Sequence, residues 1–213
     1  MITERSSGSD PGLAITRPQW FAGSMTYLTV YSDDASLLQR TEDPAEIAAT
    51  LDEIGVRLRH WDLLPTGVSA EEVLAAYADQ IAKVNAEENY TFVDVVQLGP
   101  EAAADVAAGA RAKFLNEHTH DDDEVRFFAR GAGIFYLHVS GRVHAVLCEA
   151  GDLLSVPAKT THWFDMGTSP DFCAIRFFHD DDGWVGDFTG DAISSRIPDF
   201  DAIVAGRQGQ TFS

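Results

Sequence analysis

A chain of 213 residues with 45% hydrophobic content is ample for one core and marginal for two. Its net charge of -19, from 34 acidic against 15 basic side chains, is spread along the chain as a solvated surface, which makes nucleic acid and an anionic membrane surface poor partners. There is no apolar run of membrane-spanning length and no signal-peptide core near Met1. The two cysteines, Cys148 and Cys173, sit in apolar strand-like segments as buried, reduced thiols, so the expected location is the cytoplasm.

Residues 1–24, rich in Ser, Gly and Pro, lack apolar periodicity and read as a loose extension, and residues 25–213 as one domain. A strand is predicted over 26–31. Asp43 and Pro44 start a helix as N-cap and first-turn proline, Ile47, Leu51 and Ile54 give it an apolar stripe, and Gly55 stops it. A strand follows over 56–63, where His60, beside Trp61, reads as a structural or surface residue. Ser69-Ala70-Glu71-Glu72 is a capping box. The helix it opens carries Val73, Leu74, Tyr77, Ile81 and Val84 at helical spacing and ends at Asn89-Tyr90. A strand over 91–98 is broken by Gly99-Pro100, and an Ala-rich helix spans 101–113. These helices carry no clustered chemistry and are expected to pack outside a β-structure.

From Phe114 onward the pattern is β. A long strand zone over 126–139 is interrupted by Gly131-Ala132-Gly133, a bend or bulge. Ser140-Gly141 signals a hairpin whose return strand covers 142–147, and His138 and His144, which flank that turn, are expected to be exposed. Gly151-Asp152 turns the chain into strands at 153–156, 161–164 and 172–178, the last carrying Arg176. His179 reads as loop, and the tail from Asp187 has short helical stretches. Short strands with regular turn signals indicate a sandwich or barrel.

The chemistry concentrates in Glu117-His118-Thr119-His120-Asp121-Asp122-Asp123-Glu124-Val125-Arg126. On a strand, His118 and His120 face the same way. Glu124 would lie about 20 Å from His118 on a straight strand, so joining them on one ion needs a turn between. Asp121-Asp122-Asp123 has the side chains for one. His162 is the fourth candidate. Three imidazoles and a carboxylate form a site of intermediate softness, suited to Fe(II), Ni, Mn, Co or Zn. Each residue has an ordinary alternative: a polar strand edge for the His-X-His pair, a salt bridge to Arg126 for Glu124, a backbone-bonded core position for His162. Arg126, two residues past Glu124, shares its face. A buried guanidinium is costly unpaired, so it either bridges Glu124 or receives an anion. Arg176 belongs to the same pocket or to a structural salt bridge, and Phe114, Phe164 and Trp184 wall the pocket or fill the core.

The spacing of His118, His120, Glu124 and Gly131, and later of Gly151, Pro157 and His162, resembles the motif pair of the cupin superfamily. Lys159 stands where that pattern has glycine and Met166 where asparagine often follows, which argues against the germin branch. The longer stretches Phe114-Leu115-Asn116-Glu117-His118-Thr119-His120, Asp123-Glu124-Val125-Arg126-Phe127-Phe128 and Gly131-Ala132-Gly133 are similar to the signature of the acireductone dioxygenase family. Val156-Pro157, Thr161-His162-Trp163-Phe164-Asp165-Met166-Gly167, Ala174-Ile175-Arg176 and Gly183-Trp184 fit it as well. The likeness runs from about residue 27 to residue 198, nearly the whole chain. It implies a mainly β fold, a cupin-type jelly-roll barrel with a few α-helices packed outside. It implies His118, His120, Glu124 and His162 as ligands of one Fe(II) or Ni(II) per chain, with two positions of an octahedral ion left for a chelating substrate. Arg126 would favour the substrate dianion, and Glu117 and Asp123 would aid metal incorporation and local coupling. The implied reaction is cleavage of acireductone (1,2-dihydroxy-3-keto-5-methylthiopentene), an enediol, by O₂ in methionine salvage. Iron would give formate and 4-methylthio-2-oxobutanoate; nickel would give formate, carbon monoxide and 3-methylthiopropanoate. The expected partners are the enediol and O₂, with no nucleic acid or membrane, and the expected state is a monomer. Two rivals use the same residues: another cupin dioxygenase or isomerase, and a non-catalytic cupin that only binds a small molecule.

Overall fold

The computed structural model describes residues 26–180 and 186–209. The extension expected over residues 1–24, the domain's start at Met25, and Gly183 and Trp184 lie outside the described residues. Among the described residues the strands are β1 (Tyr27–Ser32), β2 (Leu37–Thr41), β3 (Arg57–His60), β4 (Phe92–Leu98), β5 (His118–Thr119), β6 (Glu124–Val139), β7 (Arg142–Glu149), β8 (Asp152–Val156), β9 (His162–Asp165), β10 (Phe172–Phe178) and β11 (Asp187–Phe188). The helices are α1 (Pro44–Asp52), α2 (Ala70–Ala76), α3 (Ala78–Glu88), α4 (Ala104–Phe114) and α5 (Phe200–Gln208).

The strand β6 organises the topology. Its first half pairs with β8 and β10, which continue to β3 and β4. Its second half pairs with β7 and β9, in a layer that runs β11-β5-β9-β6-β7-β1-β2. The crossing lies where sequence alone suggests a bend or bulge. Opposite Cys173 and Ala174 the partners are Arg130 and Phe128, so Ala129 is an extra residue in β6. Gly131 follows with φ of +71°, and a Cβ there would sit 1.7 Å from the Asp171 carbonyl oxygen, so no other residue fits. The chain changes layers at this corner without ending the strand. All pairs are antiparallel and the layers stay open at their edges, giving the jelly roll of the cupin type.

Three apolar clusters follow from the period-two alternation of side chains. Between the layers lie Leu28, Val30, Phe128, Phe135, Leu137, Val146, Leu154, Val156 and Phe172. The outer face of one layer buries Val125, Phe127, Leu153, Ile175 and Phe177 under Val73, Tyr77 and Val84 of α2 and α3 and their junction. The outer face of the other buries Ile134, Tyr136 and Trp163 under Ile193, Ile197 and Ile203 of the C-terminal segment. Strands covered on both faces carry near-continuous apolar runs, which is why Phe127-Phe128 and Ile134–Leu137 stand on either side of the glycine-rich bend in β6.

The helices form largely for the reasons the sequence supplies. The Asp43 carboxylate accepts from the Ala45 and Glu46 amides. Ser69 and Glu72 close the capping box. The single helix expected after Ser69 is two, because Tyr77 leaves helical geometry (φ -100°, ψ 16°) to place its hydroxyl where the Leu64 amide donates to it at 2.9 Å. Asn89, in the left-handed region at φ 64°, ends α3. Phe114 is the last residue of α4 and not the first of the β-region. The strands β2 and β11 had no alternation to announce them, whereas β5 lies where the sequence puts His118 and His120 on a strand.

Candidate metal centre

The two-residue strand β5 presents His118, the chain bends through Asp121–Asp123, and β6 starts at Glu124. The bend is held by the Asp122 carboxylate, which accepts from the Asp123 amide at 2.8 Å. His162 opens β9 and pairs in register with both His118 of β5 and Leu137 of β6. The ring centroids of His118 and His162 are 4.4 Å apart, those of His120 and His162 4.9 Å, and those of His118 and His120 6.1 Å. One nitrogen from each ring falls within 4.8 Å of the other two, and all three residues are buried.

The second nitrogen of each ring has a fixed partner. His118 Nδ1 bonds the Asn116 carbonyl at 2.7 Å, His120 Nδ1 the Asp122 carbonyl at 2.6 Å, and His162 Nδ1 the Thr160 carbonyl at 2.8 Å. A carbonyl only accepts, so in each ring the proton sits on Nδ1 and the Nε2 lone pair is the donor toward a metal. His120 Nε2 lies 3.1 Å from Glu124 Oε2: with a second proton on this ring it donates to the carboxylate, and a metal ion would take the place of that proton between the two atoms. The set suits a divalent transition ion.

The charges agree with this. Burial holds His118 below the usual histidine range and brings His162 down to about 4, so both are neutral and able to coordinate near pH 7. Burial works the same way on His120, but the bond to Glu124 and its charge outweigh it and the pKa is raised. Burial pushes the Glu124 carboxyl up, yet the charge of Arg126 and the bond from His120 prevail and hold it at about 2. Arg126 Nη2 reaches Glu124 Oε1 at 2.6 Å, and its Nη1 donates to the Val125 carbonyl at 3.0 Å. Burial lowers the guanidinium to about 10 against the pull of Glu124, still charged at neutral pH. The bridge to Glu124 that the sequence left open is therefore made.

Glu124, Arg126 and Phe128 share the inner face of β6 by parity. With His118, His162, Phe114, Phe135, Phe164, Phe172 and Arg176 they line one pocket of about 470 Å³, counting the space open to solvent. Phe114 reaches it from α4 and meets Phe164 edge-on, with centroids 6.4 Å apart. Arg176 lines the same pocket while its Nε and Nη2 reach Asp94 at 2.7 and 2.5 Å.

Glu117 and Asp123 hold the frame. Glu117 Oε2 meets His138 Nδ1 at 2.7 Å, and its Oε1 accepts from the Thr189 hydroxyl at 2.7 Å. Asp123 Oδ1 accepts from the Ala158 amide at 2.9 Å and its Oδ2 from the Tyr90 hydroxyl at 3.1 Å. With the bond from Lys159 N to the His120 carbonyl at 2.8 Å, this ties the His120–Glu124 loop to the loop that delivers His162. Asp122 is tied in turn by the backbone amide and ring of His179. Tyr90 and His179 have no local motif and gain this place only through the fold. His138 and His144 are not the exposed hairpin residues expected. His138 is bridged between Glu117 and Asp33, and His144 is buried with Nδ1 3.4 Å from the Leu137 carbonyl.

Residues 27–186 match the model of the ARD/ARD' family. The chain belongs to that family. It is 61% identical over 187 residues to an acireductone dioxygenase of Frankia alni, covering 84% of this chain and 91% of the relative. It is 56% identical over 190 residues to the acireductone dioxygenase of Saccharopolyspora erythraea, covering 86% and 100%. Among solved structures it resembles acireductone dioxygenase from Bacillus anthracis with a cadmium ion in its active centre, at a TM-score of 0.68 and 29% identity, over 78% of this chain and all of that one. The motif stretches quoted above thus fall within a likeness to the family that extends across the jelly roll.

Proposed function

We propose that this protein is an acireductone dioxygenase acting in methionine salvage, with His118, His120, Glu124 and His162 holding one Fe(II) or Ni(II). The observation that carries the reading is the convergence of three buried imidazoles, each with Nδ1 on a backbone carbonyl, on a carboxylate and a buried guanidinium inside an aromatic pocket of a family member. When bound, the metal supplies Lewis-acid charge that favours the enediol as its anion. The protein does the rest. Arg126, charged and shielded from water, neutralises the negative charge on the enediolate oxygens. Phe114, Phe128, Phe164 and Phe172 exclude water and accept the methylthio tail. Glu117 and Asp123 keep the ligand loops in register so that the donors do not drift. In this reading the enzyme works in the cytoplasm as a monomer on a small molecule.

The donor set does not select by softness between iron and nickel, so both should bind, and the differing preferred geometry and electronic character of the two ions would decide the products. Stripping the protein and reloading it with each ion separately should give formate and 4-methylthio-2-oxobutanoate with iron, and formate, carbon monoxide and 3-methylthiopropanoate with nickel. Identical product ratios from both samples would refute the dual outcome. A lack of O₂ uptake with either would leave a cupin with another substrate, or one that only binds.

A further inference from the structure

The register places two arginines directly opposite one another. Arg126 of β6 faces Arg176 of β10, and Arg176 in turn faces Asp94 of β4. Like charges paired across adjacent strands are destabilising, and both guanidiniums lie against one ring, with their central carbons 5.5 and 5.3 Å from the Phe178 centroid. The charge of Arg176 presses on Arg126. What makes the arrangement tolerable is a carboxylate at each end: Glu124 at 2.6 Å from Arg126, and Asp94 gripping Arg176 through two nitrogens. The row Glu124–Arg126–Arg176–Asp94 runs minus, plus, plus, minus from the metal centre to the edge strand β4.

We infer that Asp94, which does not line the pocket, is a positioning residue that sets the pocket's charge: it holds Arg176 compensated and turned away from the anion, so that Arg126 alone meets the substrate. The bidentate, charge-assisted geometry is the kind that fixes a guanidinium in direction as well as in charge. Asp94 is 30% exposed in its side chain, so replacing it leaves no deeply buried hole. Its loss releases one positive charge beside the site. An anion on the metal should then bind more tightly, and a substrate bound more tightly in its ground state gains nothing in turnover.

The inference rests on the proposed enediolate site, but its test is separable from it. Nickel-loaded protein is titrated with acetohydroxamate, a bidentate oxygen anion, and Kd is read by calorimetry beside metal content and far-ultraviolet circular dichroism. Asp94→Asn should lower Kd by about threefold or more, the effect of one incompletely screened charge. Arg176→Gln should raise it, and Asp94→Asn with Arg176→Gln should bring it back toward the wild-type value, the sign pattern of a compensated pair. In turnover Asp94→Asn should lower KM without raising kcat. The inference is overturned if the double variant binds as weakly as Arg176→Gln, which would make Arg176 a direct anion contact, or if Asp94→Asn keeps the wild-type Kd with metal and fold intact. Should Asp94→Asn not fold, the comparison of Arg176→Gln with the double variant made as Asp94→Ser decides it alone. If the variants show this pattern but the wild-type protein takes up no O₂ with acireductone, the functional reading fails and the charge row stands.

Discussion

Replacing Arg126 with alanine should separate metal binding from turnover. The guanidinium is buried, 2.6 Å from a carboxylate that is itself buried, and it is the charge that does most to hold Glu124 at about 2. Two costs follow. Truncating a group that neutralises charge in a water-excluded site typically removes about 2.7–4 kcal/mol of transition-state stabilisation, or about a hundredfold or more in kcat. Leaving a buried carboxylate without its cation typically costs about 3–5 kcal/mol in stability. The second cost falls mainly on the metal-free protein, since a bound ion supplies Glu124 with another positive partner. A depressed carboxyl contributes stability that is present above its unfolded value near 4.5 and is lost as pH falls through about 2. In the variant that contribution shrinks, so the metal-free protein should lose melting temperature at neutral pH by more than the loaded protein does. The assay pairs metal per chain by atomic emission with steady-state O₂ uptake, and adds melting curves with and without metal. Near-normal turnover with the metal retained would refute the catalytic role and leave Arg126 as the structural partner of Glu124.

Other outcomes are equally specific. His162→Ala or His118→Ala should drop bound metal well below one per chain and abolish activity, whereas His144→Ala should keep the metal; full metal content in the His162 variant would remove that residue from the site. Asp123→Ala unties the Ala158 amide and the Tyr90 hydroxyl, so it should cost about 1–3 kcal/mol and weaken metal affinity about 10- to 100-fold; an unchanged chelator-competition curve would contradict the tie between ligand loops. Burial lowers the pKa of His144 below 6.5, so the unfolded chain binds its proton first as the solution is acidified and stability falls with pH from about 6.5 downward; His144→Gln should flatten that part of the melting-temperature profile, and an unaltered slope would exclude His144 as its source. Deleting residues 1–23 should leave melting temperature and activity nearly unchanged, and a large fall would show that Trp20 and Phe21 dock on the barrel.

The parts legible in the sequence are those set by local chemistry. Asp43, Ser69 with Glu72, and Ser140-Gly141 announce their caps and turn because the signal lies within a few residues. The apolar runs of β6 and β10 announce buried strands. The family likeness, together with parity along the chain, suggests that His118 and Glu124 share a site once a turn is inserted. What stayed hidden depends on pairing over long separations. Gly131-Ala132-Gly133 marks an irregularity in the sequence, but only the pairing of β6 with four partners shows that the strand changes layers there. The partners of Asp123 come from β4's approach and from the loop after β8, so Tyr90 and Ala158 carry no signal near the motif. The opposition of Arg126 and Arg176 is likewise a matter of register. The burial of His144 follows from the packing over its hairpin strand, which outweighs the ordinary expectation for a residue near a turn.

The central claim is that this chain binds a metal through its histidines and uses it to cleave an enediol with O₂. Parallel measurement of O₂ consumed and formate released from acireductone, with metal-loaded and metal-stripped samples of the same preparation, tests it most directly. The account predicts one formate per O₂ with the loaded protein and only the uncatalysed background with the stripped one. Equal rates in the two samples, or O₂ uptake without formate, would contradict it.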